Sequence, residues 1–248
     1  MIFGEPAPTQ ADLRFSIFGI PVRVHPFFWL IAVLLGMRVP NAQALLIWVA
    51  AVFVGVLVHE LGHAVVMRRF GFQPWITLYG LGGLASYQPG YGRRPPDTWG
   101  QVFISAAGPL AGFLMAAVII ALMAAAGVGV MWRIGAPTGV MAIPTDIFVN
   151  PTLTRVVFNL LFVTIVYGVL NLMPIYPLDG GQIARELFLR FNPRTGIHHS
   201  LMLSIVTAGG LALMMVLNGE IFLTVFFGFL AYSSFNMMQN YQAGGGWR

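Results

Sequence analysis

The sequence has no cysteine and no lysine, and only 8% of its 248 residues are charged. Without cysteine there are no disulfides, no thiolate metal ligands and no cysteine nucleophile. A soluble globular domain carries about 25% charged residues, so this chain has too few charges to cover a soluble surface. Composition also excludes disorder, a collagen-like fibre and a nucleic-acid module. The net charge of +5 comes from arginines scattered between apolar runs, not from one basic patch.

Long apolar runs dominate what is present. Hydrophobic residues make up 58% of the chain, and the mean hydropathy is +0.80. A membrane-spanning helix needs roughly 20 mostly apolar residues. The sequence therefore predicts an all-α polytopic membrane protein with about six transmembrane helices in a single domain, residues 1–248. The predicted helices are 26–38, 42–67, 100–128, 155–173, 200–217 and 220–238.

Two other segments favour strands over helices. Residues 14–25 alternate loosely between apolar and polar side chains around a Gly-Ile-Pro break, which predicts a short hairpin at the membrane surface. Residues 77–87 are rich in glycine, and we expect a small membrane-associated β segment around 75–88, or a re-entrant loop. We expect no secretory signal peptide, since residues 1–25 include four charged side chains before the first apolar run, which starts near Pro26.

The arginines predict the orientation of the helices, because cytoplasmic loops carry an excess of arginine and lysine. With six spans, the N-terminus, the second and fourth loops and the C-terminus share one side. We therefore expect both termini in the cytoplasm and the protein in the cell inner (plasma) membrane. The arginines on that side are Arg14, Arg23, Arg68, Arg69, Arg93, Arg94, Arg185, Arg190, Arg194 and Arg248, and those on the other are Arg38, Arg133 and Arg155.

The motif His59-Glu60-Leu61-Gly62-His63 directly follows fifteen apolar residues in a row, Ala44–Val58. An ionisable residue at membrane depth is a functional hypothesis by default. His59 and His63 lie on one face of a helix, so both imidazoles can bind one metal ion. Zn²⁺ suits such an open site, and Glu60 can then take a proton from the water that the metal activates. The alternative is a polar helix end whose histidines reach the interface.

A catalytic zinc site takes three protein ligands plus water, so a third ligand is needed. Asp179 follows the fourth apolar run on the same predicted side as His59 and His63, behind two prolines that break the helix. Broken backbone at membrane depth is tolerated only where it is buried or lines a polar cavity. Alternatively, Asp179 is the N-cap of a following helix. The other candidates are His25, Glu186, His198, His199 and Asp146, of which Asp146 falls on the opposite predicted side.

Taken together, these motifs resemble those of a known family. His-Glu-Leu-Gly-His on one predicted helix, followed by Asn171-Leu-Met-Pro-Ile-Tyr-Pro-Leu-Asp179-Gly-Gly on another, is similar to the site-2 protease family of intramembrane zinc metalloproteases. The first motif is shared with many unrelated metallopeptidases, but its pairing with the second in this order is specific. Gly19–Pro26, Gly82-Gly83 and Ala106–Gly112 are also similar to family segments, so the resemblance covers nearly the whole chain.

The resemblance implies a role for each matching residue. It implies one Zn²⁺ per chain, bound by His59, His63 and Asp179, with Glu60 as the catalytic acid/base. It also implies that Asn171 helps to position the substrate or to stabilise the oxyanion. Some members carry a PDZ domain and others CBS domains, for which this chain has no room, so we expect a minimal form.

Glycine-rich positions outside these motifs allow further interpretations. An exposed strand edge at Gly82 and Gly83 would hold a substrate in an extended conformation by β-augmentation. A flexible turn is the alternative for this pair. Gly108 and Gly112 have the small-xxx-small spacing of closely packed membrane helices, which favours packing over a catalytic part.

The expected function is that of an intramembrane zinc metalloprotease that cuts membrane-spanning substrates near the cytoplasmic face. By resemblance, its setting is regulated intramembrane proteolysis, and its partner is a transmembrane protein such as an anti-sigma factor or a signal-peptide remnant. Membrane lipid is expected as a partner and nucleic acid is not. The alternatives are a quality-control metalloprotease for membrane proteins and a non-catalytic zinc-binding scaffold or transporter. The last class needs the ligands but not a base at Glu60.

Overall fold

The computed structural model describes residues 5–80, 82–88, 96–135, 139–144 and 150–243. This described part is mostly helical. Five of its helices are long and apolar enough to cross a membrane: α2 (Ala42–Arg69), α3 (Thr98–Ala125), α4 (Pro151–Asn171), α6 (Gly196–Leu217) and α7 (Ile221–Ala243). Two shorter helices are α1 (Pro26–Leu35) and α5 (Asp179–Phe191). The predicted helical membrane fold is therefore confirmed, whereas a sixth span stays a prediction because α1 has only 10 residues.

The chain divides into two compact units, and residues 1–95 and 107–168 form the first. Interpretation of the whole chain as one domain stays a prediction. The first unit contains a sheet in the order β1 (Leu13–Ile17), β2 (Ile20–Val24), β3 (Gln73–Tyr79) and β4 (Gly82–Gln88). β1 pairs with β2 and β3 with β4 in antiparallel fashion, while β2 and β3 are parallel. The β segment expected around 75–88 is thus β3 and β4, and residues 13–24 add two strands to it.

One face of this sheet packs against α1 and α2. Successive side chains of a strand point to opposite faces, so the alternate apolar residues of β2 and β3 form one buried row. Register pairs Val22 with Ile76 and Val24 with Leu78, and all four side chains are buried. The same cluster contains apolar side chains of both helices: Phe28, Ala32, Ala51, Val52, Val56, Leu57 and Ala64.

Helix α1 runs between the end of β3 and the beginning of α2. At its start, a Cβ on Gly80 would lie 2.5 Å from the ring of Phe27. Near its end, Ala32 accepts a hydrogen bond of 3.0 Å from the indole of Trp48. Gly36, which follows α1, lies against Trp48 and Leu45 in the first two turns of α2. Helix α1, about 15 Å long, therefore connects the end of β2 to the N-terminal end of α2.

The opposite face of the sheet is covered by the N-terminal segment, residues 5–12. Arg23 on β2 donates hydrogen bonds to Glu5 at 2.7 Å and to Asp12 at 3.2 Å, and Thr77 on β3 donates to Glu5 at 2.5 Å. Hydrogen bonds from the side chain and backbone of Thr9, aided by Arg23, lower the pKa of Asp12 to about 2. Burial tends to raise the pKa of Glu5, but hydrogen bonds led by that from Thr77 lower it on balance.

The rest of the first unit lies between α3 and α4. Here β5 (Val130–Gly135) and β6 (Gly139–Pro144) form a two-stranded antiparallel sheet, which the sequence interpretation did not anticipate. The boundary between the two units falls within both helices, since the first unit takes α3 from Ala107 onward and α4 up to Gly168.

The second unit comprises residues 96–106 and 169–248, and it contains α5, α6 and α7. Its proline-broken segment, which follows α4, is held through the backbone of one residue. The amide of Tyr176 donates to Ser204 on α6 at 3.0 Å, and its carbonyl accepts from Ser234 on α7 at 3.3 Å. These bonds satisfy polar groups that a broken helix leaves exposed. Arg93, Arg94 and Arg248, which contribute to the predicted orientation, lie outside the described residues.

Candidate metal centre

Helix α2 carries a buried group of three side chains that could hold a metal ion. His59, Glu60 and His63 are only 2%, 4% and 6% exposed, and one potential ligand atom from each lies within 4.8 Å of the others. The two imidazole rings meet edge to face, with centroids 4.9 Å apart and planes at 75°. The predicted sharing of one helix face is what brings them together.

The space beside these imidazoles suits a metal ion. A Cβ placed on Gly108 of α3 would lie 2.7 Å from Nε2 of His59 and closer still to Nε2 of His63. Both Nε2 atoms therefore lie close to one point beside Gly108, where a side chain would stand if this residue were not glycine. Zinc binds histidine nitrogen at about 2.0–2.1 Å, and two imidazoles with a nearby carboxylate are among its usual donors. The residues present thus fit Zn²⁺.

Glu60 lies against the start of strand β4. A Cβ on Gly83 of β4 would meet the Glu60 side chain, with Cδ at 2.5 Å and both Cγ and Oε1 closer. Only a glycine at this position allows the carboxylate to approach the strand backbone so closely. β4 is the last strand in the order of the sheet, so among the described strands it has one neighbour, β3. The carboxylate thus lies beside an edge strand.

Tyr167 on α4 is a site residue that the sequence interpretation missed. Its ring packs edge to face on His59, with centroids 4.8 Å apart. Its hydroxyl reaches the start of β4, because a Cβ on Gly82 would lie 2.7 Å from it. Gly82 has a φ of +120°, which side-chain-bearing residues rarely adopt. The sequence feature that could have indicated Tyr167 is a hydroxyl group in an otherwise apolar run, one helical turn before Asn171.

The second predicted motif belongs to the second unit. Asp179 is the first residue of α5, whose N-cap is Leu178. The Asp179 residue is buried, with 8% of its surface exposed. Gly180 and Gly181 leave no room for a Cβ, since it would meet the backbone of the proline-broken segment. Asn171 is the last residue of α4. Metal binding by Asp179 and substrate contact by Asn171 stay predictions.

The other candidate ligands have different positions. His25 is the N-cap of α1, and its Nδ1 accepts a hydrogen bond from the amide of Phe27 at 3.2 Å, which fits a capping role. His198 and His199 are in the first turn of α6, and Glu186 is on α5. Asp146 lies outside the described residues.

A chain with several apolar, membrane-length helices and a buried His-Glu-x-x-His group has the features of a membrane-embedded metalloprotease. Comparison of sequences identifies the family. The chain belongs to peptidase family M50, the site-2 protease family, whose sequence profile matches residues 47–217.

Two curated proteins and one solved structure illustrate the relationship. Zinc metalloprotease MJ0392 of Methanocaldococcus jannaschii is 27% identical over 210 residues, which are 83% of this chain and 52% of that protein. Stage IV sporulation protein FB of Bacillus subtilis is 30% identical over 223 residues, which are 87% of this chain and 65% of that protein. The chain therefore spans roughly half to two thirds of these relatives. The structure of the site-2 protease from Methanocaldococcus jannaschii has the same fold, with a TM-score of 0.57, 23% identity and coverage of 92% of this chain and 95% of that one.

Proposed function

We propose that this chain is an intramembrane zinc metalloprotease that hydrolyses peptide bonds of membrane-spanning substrates near the cytoplasmic face. One observation carries this proposal: the buried Glu60 carboxylate lies next to two imidazoles and also contacts Gly83 on an edge strand. A metal-ligand pair, a base and a strand able to hold a peptide are therefore adjacent. Membership of family M50 supports the same reaction.

In this proposal the metal site holds one Zn²⁺ per chain. His59 and His63 supply two nitrogen ligands, and Asp179 supplies the third ligand. Asp179 is favoured because it is a buried carboxylate at the start of α5, in the motif that resembles the family's second metal-binding segment. When bound, Zn²⁺ lowers the pKa of a coordinated water to about 7 and polarises a carbonyl oxygen.

Glu60 is the proposed general base and general acid. Its carboxylate accepts a proton from the attacking water and later donates it to the nitrogen of the leaving amine. Its place next to His59 keeps the carboxylate on the metal side of α2. The contact with Gly83 holds it within reach of a peptide bound along β4. A scaffold or transporter has no use for a base in this position.

β4 is the proposed substrate-binding strand. A helical substrate hides its backbone in hydrogen-bonded turns, so the scissile segment must become extended before it can be cut. An edge strand provides hydrogen-bonding partners for that extended backbone by β-augmentation. Gly82 and Gly83 would then lie alongside the scissile residues. Asn171 would orient the substrate or stabilise the oxyanion, as the family resemblance suggests.

The proposed setting is regulated intramembrane proteolysis in the inner (plasma) membrane, with both termini in the cytoplasm. The substrate would be a single-span protein, such as an anti-sigma factor, or a signal-peptide remnant. One relative bears the name of a sporulation protein, which supports a regulatory setting over general turnover.

The test is cleavage by a Glu60→Gln variant. Co-expression with a panel of tagged single-span membrane segments, read by gel mobility, would identify a cleaved substrate for the wild type. Loss of a general acid/base costs about 10²- to 10⁴-fold, so we expect the variant to lose cleavage by at least 10²-fold while it keeps its zinc.

Glu220→Gln is the matched control, because Glu220 lies between α6 and α7, outside the proposed site. It should cleave like the wild type. Turnover by Glu60→Gln at the wild-type rate would remove Glu60 from the mechanism.

A further inference from the structure

Gly108 stands on α3 at the point where the two metal-ligating imidazoles meet that helix. Its spacing from Gly112 favours a role in helix packing. In the structure, however, the two glycines differ in the atoms that an added side chain would meet. A Cβ on Gly108 would contact Nε2 and Cε1 of His63 and Nε2 of His59, whereas a Cβ on Gly112 would meet only the carbonyl of Thr164, at an ordinary 3.5 Å.

A different glycine, Gly62, allows the close packing between α2 and α3. A Cβ on Gly62 of α2 would meet the backbone carbonyl of Ala107 and, at 2.7 Å, the methyl group of Ala111. Gly62 is therefore the position where the absence of a side chain lets the two helix backbones approach. Gly108 has no such contact among its three nearest atoms, all of which belong to imidazole rings.

We infer that Gly108 is a positioning residue of the metal centre: its missing side chain keeps open the volume that Nε2 of His59 and Nε2 of His63 share. This inference rests on the proposed function, because it takes Zn²⁺ as the ion. Zinc binds two histidine nitrogens at about 2.0–2.1 Å each. A methyl group 2.7 Å from one Nε2 and nearer to the other would occupy the space that the ion needs.

The clash in a Gly108→Ala variant can be relieved without unfolding the protein. The atoms that a methyl group would meet are at the far ends of two side chains, which can rotate about χ1 and χ2. The rings would turn away, and their nitrogens would no longer converge on one point. We therefore expect the alanine variant to fold but to lose its metal.

The experiment measures zinc per chain by elemental analysis in detergent-purified wild type, Gly108→Ala and the matched control Gly112→Ala. We expect about one zinc in the wild type and in the control, and at least tenfold less in Gly108→Ala. Added zinc should raise the thermal unfolding midpoint of the first two proteins and not that of the third. A folded Gly108→Ala variant with full zinc would overturn the inference and leave the proposed function standing. A wild type without zinc would contradict the proposed function itself.

If Gly108→Ala does not fold, a variant that lacks both imidazoles tests whether the clash is with the imidazole rings. The substitution is then placed in a His59→Ala/His63→Ala chain, where the imidazoles are gone. A folded triple variant, with the unfolding midpoint of its double-variant parent, supports the inference because the clash was with the rings alone. A misfolded triple variant would assign Gly108 to helix packing and overturn it.

Discussion

Glu60 and Asp179 are the two buried acidic residues in the described part of the chain. A carboxylate removed from water is costly unless it is paired or binds a metal ion. Glu60 also contacts two groups of different kinds, the imidazoles on its own helix and the backbone of β4 at Gly83. Among single residues, the proposed function depends most on that double contact of Glu60.

A Gly83→Ala substitution tests the contact between the base and the strand. The new methyl group would meet the Glu60 side chain and displace its carboxylate. Because displacement of a reacting group by about 1 Å can cost about 10²-fold in rate, we expect kcat/KM for a cleaved substrate to fall by about 10- to 100-fold. Zinc content should not change.

Ser86→Ala on the same strand is the control for Gly83→Ala and should retain full activity. Wild-type activity in Gly83→Ala would show that Glu60 tolerates the displacement and does not depend on β4.

The local part of the site could be predicted from the sequence, and the non-local part could not. Residues four apart on a helix must share a face, so the pairing of His59 with His63 follows from spacing alone. The neighbours of that pair, Gly83, Gly108 and Tyr167, come from other elements that are distant along the chain. Their contacts depend on how strands and helices pack, and no spacing within the sequence encodes that.

At the scale of elements, the sheet explains why α1 is short. β2 and β3 run side by side, and α1 begins next to Gly80 at the end of β3. A few residues beyond, Gly83 lies against Glu60, well inside α2. The start of α1 therefore lies near the level of Glu60 along α2, and not at the end of that helix. From there, the 10 residues of α1, about 15 Å long, are enough to bring the chain to the first turns of α2. A count of apolar residues cannot reveal that α1 starts at this level.

Helix α5 also escaped the sequence interpretation. Its residues include Arg185, Glu186 and Arg190 among apolar ones, so no long apolar run marks it. The sequence offered Asp179 as the N-cap of a following helix, whereas in the structure Leu178 is the N-cap and Asp179 is the first residue of α5. What could not be foreseen is that Gly180 and Gly181 pack against the backbone of the proline-broken segment.

Arg23 should hold the N-terminal segment on the sheet. Its side chain is 13% exposed and bonds both Glu5 and Asp12. We expect Arg23→Gln to release residues 5–12, with amide hydrogen exchange there at least about tenfold faster, because local opening governs exchange. Arg14→Gln is the control, since Arg14 is 63% exposed and lies 3.7 Å from Asp12. Unchanged exchange in Arg23→Gln would contradict this role.

The attachment of this segment should also depend on pH. Both carboxyl groups have lowered pKa values, that of Asp12 falling from 3.8 to about 2. A lowered pKa stabilises the attached form above the ordinary carboxyl value and loses that contribution as the pH falls through the lowered one. Exchange at residues 5–12, after division by the intrinsic exchange rate at each pH, should therefore rise between about pH 4 and pH 2. A constant corrected rate across that window would contradict the ionic attachment.

At the scale of the whole molecule, the number of crossings decides where the termini lie. Five crossings put the two termini on opposite sides of the membrane, and six put them on the same side. The five long helices are clear from length and composition, and among the helices of the described ranges it is α1 that decides between the two counts. The arginine distribution favours the even count with both termini in the cytoplasm.

Cysteine labelling can count the crossings, because these 248 residues contain no cysteine and so offer a background free of other thiols. Thr9→Cys and a cysteine appended after Arg248 should both resist a membrane-impermeant reagent added to intact cells. Asn218→Cys, in the exposed turn between α6 and α7, should react and serves as the control. Labelling of Thr9→Cys, with the C-terminal cysteine protected, would instead establish five crossings.

The zinc content of the purified protein is the most direct test of a metal site formed by His59, His63 and Asp179. Wild type, His59→Ala, Asp179→Ala and the control His199→Ala would be purified in detergent and measured by elemental analysis. We expect about one zinc per chain in the wild type and in His199→Ala, and loss of that zinc in His59→Ala and Asp179→Ala. Wild type without zinc, or full zinc in His59→Ala, would contradict a metalloprotease site on α2. Full zinc in Asp179→Ala would remove that residue from the ligand set.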